Sequence, residues 1–479
     1  MGVQNPIISG FAPDPSIVRV GEDYYLVNSS FSYFPSLPIY HSRDLKSWAL
    51  IANAITRPSQ ANYAGGHTSR GQFAPTIRHD GGKFYIICTN VSHGGNFIIS
   101  ADDPTAEWSE PLYLPDADGI DPSLYFENGR AYYCGTHGRD GGELNGDNAI
   151  YVAEIDLKTG QLGKKKDIWW AAMRDAVWPE GPHINKVGDY YYIFYAEGGT
   201  GLNHAIMTAR SRSIFGPYEN CLHNPILTHR HLGPNFPVVN VGHGDLFEDG
   251  QGNWYLICLA SRLFDGADNL GRETFIAKVT WHDGWPFVNE GLGQLDFANV
   301  PQVNTLMTDF SLANLEVLRL RNPIDADYAF ENGVVRLRGG ADFADLTTSP
   351  TFLAVRQRTI DYDLSVRVQS QSEAGLVVFQ NDNFLIRLAI IGKKIKVVQR
   401  ENGVDTVLVQ VAKSADLLKL VCRGQKLAFY VADELILSDV SATFLSTRQA
   451  GGFVGTTLGI YALGHGKVAT FSELRFEMN

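Results

Sequence analysis

Asp14 in APDPS, Asp121 in GIDPS and Glu180 in WPEGP stand one or two residues ahead of a proline, and each precedes a short run that alternates like a strand. An isolated Asp-Pro is ordinarily a turn, but three acids at matching positions argue for a site, because acids are costly inside a fold unless they are used or paired. Converging carboxylates in an aromatic-lined cleft suit cleavage of a glycosidic bond. One holds a proton for the leaving oxygen, and a second stays ionised to activate water or attack the anomeric carbon. A third can raise the first one's pKa by like-charge repulsion and orient it. Competing chemistries lack their groups. There is no CxxC or His cluster for zinc, no GxSxG for a nucleophilic serine, and neither a GxxxxGK[ST] loop nor a GxGxxG after a strand.

The elements that must position these acids come from a repeat. Segments beginning at Pro15 (PSIVRVGEDYYLVNSS), Pro75 (PTIRHDGGKFYIICTN), Pro122 (PSLYFENGRAYYCGTH), Pro182 (PHINKVGDYYYIFYAEG) and Gly244 (GDLFEDGQGNWYLICLAS) recur at intervals of 60, 47, 60 and 62 residues. Each reads as a β-hairpin with glycine-bearing turn chemistry, followed by two more strands. Five four-stranded units about an axis make a five-bladed β-propeller over residues 1–300. Aligning the units makes Asp14, Ala74, Asp121, Gly181 and His243 equivalent, at one mouth of the channel, with Glu180 adjacent. Asp245 in the same stretch reads as a strand-start residue only. The Val91-Ser92-His93-Gly94-Gly95-Asn96 and Glu197-Gly198-Gly199-Thr200 stretches read as glycine turns rather than sugar-contacting backbone.

The chain has 479 residues, 11% of them aromatic and 19% charged, with 48 Gly and a formal net charge of −12. That acidic balance argues against nucleic-acid and anionic-membrane partners. Five cysteines, too far apart for a disulfide framework, and a start without a basic or apolar leader lead to the expectation of a cytoplasmic protein.

NPIISGFAPDPSIVRVGEDYYLVNSSF, GIDPSLYFENGRAYY, VWPEGPHINKVGDYYYIFYAEGG and VGHGDLFEDGQGNWYLICLASR together resemble glycoside hydrolase family 43, whose members are inverting five-bladed propellers acting on xylosyl and arabinofuranosyl linkages. The resemblance implies Asp14 as general base, Glu180 as general acid and Asp121 as pKa modulator and orienter. It also implies substrate contacts from Phe31, Phe73, His243 and Arg272 (in LGRETF). No cofactor is implied as a requirement; in some similar enzymes the imidazole at His243 approaches a hydrated calcium in the channel.

Past Trp285-Pro286-Phe287 the repeat fades. Residues 301–317 read as a linker, and 318–479, with alternating runs such as VVRLRG, YDLSVRVQ and KLAFYVAD, read as a jelly-roll β-sandwich. This part resembles the C-terminal module of the family's β-xylosidases, with TFLAVRQR a local match. All eight Trp lie at or before Trp285, which disfavours an independent sugar-stacking surface on the sandwich. Phe453 in GGFVG reads as a core residue, although similar modules send a loop towards the active site.

The expectation is an exo-acting β-xylosidase releasing xylose from β-1,4-xylooligosaccharides, with α-L-arabinofuranosidase activity. A dedicated α-L-arabinofuranosidase is the alternative, and a non-catalytic sugar-binding propeller the remote one. The resemblance also allows a homo-oligomer.

Overall fold

The computed structural model describes residues 4–171, 177–298, 300–301, 303–412, 414–464 and 466–479. The start of the sequence, read over Met1–Pro6, has residues 1–3 outside them. Among the described residues no helix is long and apolar enough to cross a membrane.

Five antiparallel four-stranded sheets follow one another along the chain, each with its strands in chain order; only the short strand Tyr33–Phe34, within the first, is left out of its sheet. Their innermost strands are Ser16–Val20, Thr76–Asp80, Ser123–Glu127, Glu180–Val187 and Val238–Glu248. The hairpins close where the turn residues predict. Glu127 pairs with Arg130 across Asn128 and Gly129, which have φ of 50° and 73°, the two positive values a type I′ turn needs. Branched and aromatic side chains between successive sheets bury the propeller core, as with Ile77, Ile86, Cys88 and Ile99 between the first and second blades.

A polar ring ties the blades together inside the channel. Two residues after each mouth position stand Ser16, Thr76, Ser123, His183 and Asp245. Thr76 Oγ1 donates to the Pro122 carbonyl at 2.9 Å, and Ser123 Oγ donates to that of Pro182. Asp245 accepts from Ser16 Oγ at 2.7 Å and takes a bidentate pair from Arg78 at 2.7 and 3.1 Å. Arg78 also donates to His183 Nδ1 at 3.1 Å. Asp245 is therefore more than a strand-start residue: it joins the first, second, fourth and fifth blades. Burial opposes its charge, but Arg78 and His183 outweigh burial and hold its pKa below the usual value.

Among the described residues no strand is shared between the first blade and the fifth. Residues 5–12 lie along the fifth blade instead: Ile7 and Ile8 donate to the Thr274 carbonyl, and Ala12 donates to that of Arg272. The Asn5 side chain brackets the backbone of Ile276.

The second unit is a β-sandwich. One sheet runs Thr351–Arg356, Thr457–Ala462, Ala374–Asn381, Phe384–Ile391, Lys394–Glu401 and Val404–Ala412 in spatial order. The other is centred on the long strand Val468–Met478. Leu364, Val366, Phe429, Ile460 and Phe471 are among the fully buried side chains between them. The segment read as a linker supplies strand Thr305–Met307, which pairs with Val468–Met478. Arg319–Leu320 pairs with Tyr33–Phe34 of the propeller.

The two units share a core. Phe11, Phe31 and Tyr33 of the propeller pack with Leu318, Phe352 and Val454. The sandwich also straddles the joint between the first and last blades. On one side Asp382 accepts from the Thr68 amide and hydroxyl at 2.7 and 2.9 Å. On the other, Asn269 donates to the Ala442 carbonyl and accepts from Gln425, and Asp268 accepts from the Arg448 amide.

Candidate active site

Four of the five equivalent mouth positions have left-handed backbone: Asp14 (φ 52°), Asp121 (55°), Gly181 (55°) and His243 (45°). Non-glycine residues avoid this region unless their surroundings impose it, and such strain concentrates at functional sites. Asp14 and Asp121 lie two residues ahead of an innermost strand, whereas Gly181 and His243 lie within one, each at a shift in its pairing register. Gly181 must lack a side chain, since a Cβ there would sit 2.6 Å from the His243 ring.

The acids border a cavity of about 390 Å³, together with Phe31, Phe73, His243 and Arg272. Every residue assigned to the site from the sequence is on this wall. Asp14, only 6% exposed, receives Ser29 Oγ at 2.6 Å and the two Arg272 Nη atoms at 3.1 and 3.4 Å. Burial alone would raise its pKa, but Arg272, His243 and the Ser29 hydroxyl outweigh burial and hold it below the usual carboxylate value. Asp14 is thus ionised at neutral pH.

Glu180 behaves oppositely. Among the described residues no cation offsets its burial, and burial with the nearby charge of Asp14 pushes it up to about 7. Asp121 is raised well above the usual range by burial and by the other two carboxyls, although it accepts from the Ala74 amide. Asp14 repels both of the other carboxyls, and Asp121 and Glu180 repel each other, so ionising either is opposed by burial and by its neighbours. Environments that push carboxyl pKa values apart within one site mark an acid and a base.

Arg272 organises the wall. Besides Asp14, it donates to Thr200 Oγ1 at 3.0 Å and to the Phe453 carbonyl at 3.2 Å, and its guanidinium lies 5.7 and 5.4 Å from the Phe31 and Phe453 ring centres. Phe31, Phe73 and Phe453 form a mutual triad with centroids 5.6 to 5.8 Å apart. Phe453 is thus a wall of the site supplied by the sandwich, not a core residue of it. Its amide also receives support from the propeller, donating to Ser69 Oγ at 2.9 Å. The glycine stretches divide. Gly199 and Thr200 border the cavity, which corrects their reading as a turn alone, whereas a Cβ on Gly94 would strike Tyr113. Arg70, Ile120, Trp178 and His204 also line the cavity and were not singled out from sequence. Trp178, with φ 59°, lies inside the VWPEGP motif, a signal that was available.

His243 does not offer calcium a suitable donor set. Asp14 is taken by Ser29 and Arg272, and Asp245 by Arg78 and Ser16, so one imidazole remains for a cation that prefers several oxygens. Among the described residues no group of three or more His, Cys, Asp or Glu is placed to hold a metal.

Residues 3–286 match the glycosyl hydrolases family 43, and residues 308–477 match the beta xylosidase C-terminal concanavalin A-like domain. The chain belongs to glycosyl hydrolase family 43. This glycosidase is 41% identical to a xylosidase/arabinosidase of Butyrivibrio fibrisolvens, over 97% of this chain and 96% of that protein. It is 35% identical to a non-reducing end α-L-arabinofuranosidase of Bacteroides ovatus, over 98% and 92% respectively. The crystal structure of a xylan β-1,4-xylosidase from Bacillus halodurans superposes with a TM-score of 0.91 at 30% identity, covering all of both chains.

Proposed function

We propose that this family 43 glycosidase is an inverting exo-enzyme that releases xylose from the non-reducing end of β-1,4-xylooligosaccharides and also cleaves terminal α-L-arabinofuranosides. The observation that carries the reading is the pairing, in one cavity, of a carboxyl raised to about 7 with a carboxylate held ionised. Glu180 protonates the departing glycosidic oxygen as the anomeric C–O bond breaks. Asp14 takes a proton from the water whose oxygen attacks the opposite face of the anomeric carbon. Asp121, neutral, orients Glu180. Exchange with solvent then returns the proton from Asp14 and reloads Glu180. The phenylalanine triad and the loop carrying Phe453 wall the cavity, and on this reading they favour a terminal sugar over a threaded chain. The names of the relatives support both sugars, and the Bacteroides ovatus protein supports an enzyme restricted to arabinofuranosides as the second reading.

Parallel assays on 4-nitrophenyl β-D-xylopyranoside and α-L-arabinofuranoside decide between them. Release from both is expected, release from the arabinoside alone selects the second reading, and release from neither removes both. NMR of the first-formed anomer tests inversion. Glu180→Ala is expected to retain far more activity on the nitrophenyl glycoside than on a methyl glycoside, because a good leaving group needs no acid. Equal losses would dismiss Glu180 as the acid. We assign no metal to the reaction, so dialysis against EDTA is expected to leave the rate unchanged. The five buried, unpaired cysteines support a reducing, cytoplasmic setting.

A further inference from the structure

The proposed chemistry leaves His204 on the cavity wall unused. His204 is 3% exposed and borders the cavity that also holds Arg272 and Thr200. Its Nδ1 lies 3.0 Å from the carbonyl oxygen of Asn240. A carbonyl only accepts, so Nδ1 carries the proton of the ring. That carbonyl is itself held, since Asn240 has a φ of 61° and its side chain donates to Ser261 Oγ at 3.2 Å. Thr228 Oγ1 anchors the backbone of His204 by donating to its carbonyl at 2.8 Å.

The ring also has a fixed orientation. A Cβ on Gly242 would sit 2.2 Å from Nδ1 and 2.3 Å from Cε1 and Cγ, so Gly242 of the fifth blade packs on the face of the ring. Among the described residues Nδ1 has a hydrogen-bond partner and Nε2 has none, and the residue borders the cavity. Burial foremost, with the charges of His243 and Arg272, pushes the imidazole down to about 3, so it is neutral at any working pH. A neutral ring protonated at Nδ1 presents a lone pair at Nε2.

The other polar groups of the wall are differently occupied. The three acids belong to the reaction, and Arg272 only donates. Thr200 Oγ1 already accepts from Arg272, which leaves its hydroxyl hydrogen and one lone pair. An acceptor free of the proton transfers is what His204 adds.

We propose that His204 Nε2 accepts a hydrogen bond from one hydroxyl of the terminal sugar, making His204 a specificity-determining contact; this rests on the glycosidase reading above. A residue needed only to fill space between blades would have no use for a second nitrogen on the cavity.

The test is a cycle of enzyme and substrate variants. Wild type, His204→Phe and His204→Gln are assayed on 4-nitrophenyl β-D-xylopyranoside and on its 2-, 3- and 4-deoxy and deoxyfluoro analogues. Mutant-to-wild-type ratios cancel the intrinsic reactivity of each glycoside. His204→Phe is expected to lose roughly three- to tenfold in kcat/KM on the parent sugar and to lose almost nothing on the analogue altered at the contacted position. At that position fluorine is expected to behave like hydrogen, because it cannot donate. His204→Gln, whose side-chain carbonyl accepts, is expected to recover part of the loss. A uniform loss across all analogues overturns the assignment and leaves the glycosidase reading standing. The fluoro and deoxy comparison needs no variant, so a misfolded mutant does not shelter the proposal: a wild type that cleaves every fluoro analogue as well as the parent overturns it. A wild type inactive on both parent sugars overturns the glycosidase reading and this contact with it.

Discussion

Replacing Arg272 by Met removes the cation that opposes the burial of Asp14, and the pH profile should report it. In the native site burial pushes Asp14 up while Arg272, His243 and Ser29 pull it down, with a net lowering. Arg272 leads the opposing terms and reaches both carboxylate oxygens, at 3.1 and 3.4 Å. An arginine beside an aspartate ordinarily depresses its pKa by roughly 1–3 units, or about 1.4–4 kcal/mol. Without it, burial prevails and the folded pKa rises. The acid limb of kcat/KM, which follows ionisation of Asp14 in the free enzyme, should move up in pH by roughly that amount. The alkaline limb should stay near its place, because Glu180 owes its value of about 7 to burial and Asp14. The active window therefore narrows from the acid side only. Arg272→Lys, which keeps the charge but not the two-pronged geometry, should move the acid limb less while also losing the links to Thr200 and Phe453. The profile is measured with 4-nitrophenyl β-D-xylopyranoside from acid to alkaline pH. A drop in height with both limbs unmoved would mean that Arg272 only holds sugar, and would refute its electrostatic role.

Phe453→Ala removes a ring shared by Phe31, Phe73 and Arg272, and should cost about 2–3 kcal/mol of stability in guanidinium unfolding, with a larger fall in kcat/KM than a distant sandwich residue would give. Asp245→Asn leaves the Arg78 guanidinium without its counter-charge inside the channel and should cost about 3 kcal/mol, measured as a lowered urea midpoint with an unchanged slope. Gly181→Ala combines a left-handed backbone with a contact on His243, so a loss of about 1–3 kcal/mol should accompany reduced activity, both read on the purified variant.

The blades were legible because their pattern is local. Alternation, turn glycines and a recurring start repeat within each unit, and the entry positions of Asp14, Asp121 and His243 follow from aligning those units. The pairing of Arg78 with Asp245 was not legible, because it spans the channel and depends on which blades face one another once the circle closes. Phe453 failed for a related reason. GGFVG looks like a core turn until the sandwich is docked, and no periodicity encodes docking. His204 carries no local signal beyond its type, since its partner carbonyl and the glycine that fixes it come from another blade.

The sandwich's grip on both sides of the blade joint bears on how the molecule comes apart. A circle of blades closed by a few backbone hydrogen bonds has one weak place, between its last blade and its first. Asp382 and Phe453 hold the propeller on one flank of that place, and Gln425 and Arg448 hold it on the other. Prising the first blade from the fifth thus requires breaking the shared core as well. Calorimetry should then record one cooperative transition for a chain that sequence divides in two. A propeller severed after its fifth blade should open at that joint, beside Asp14, well before it melts elsewhere.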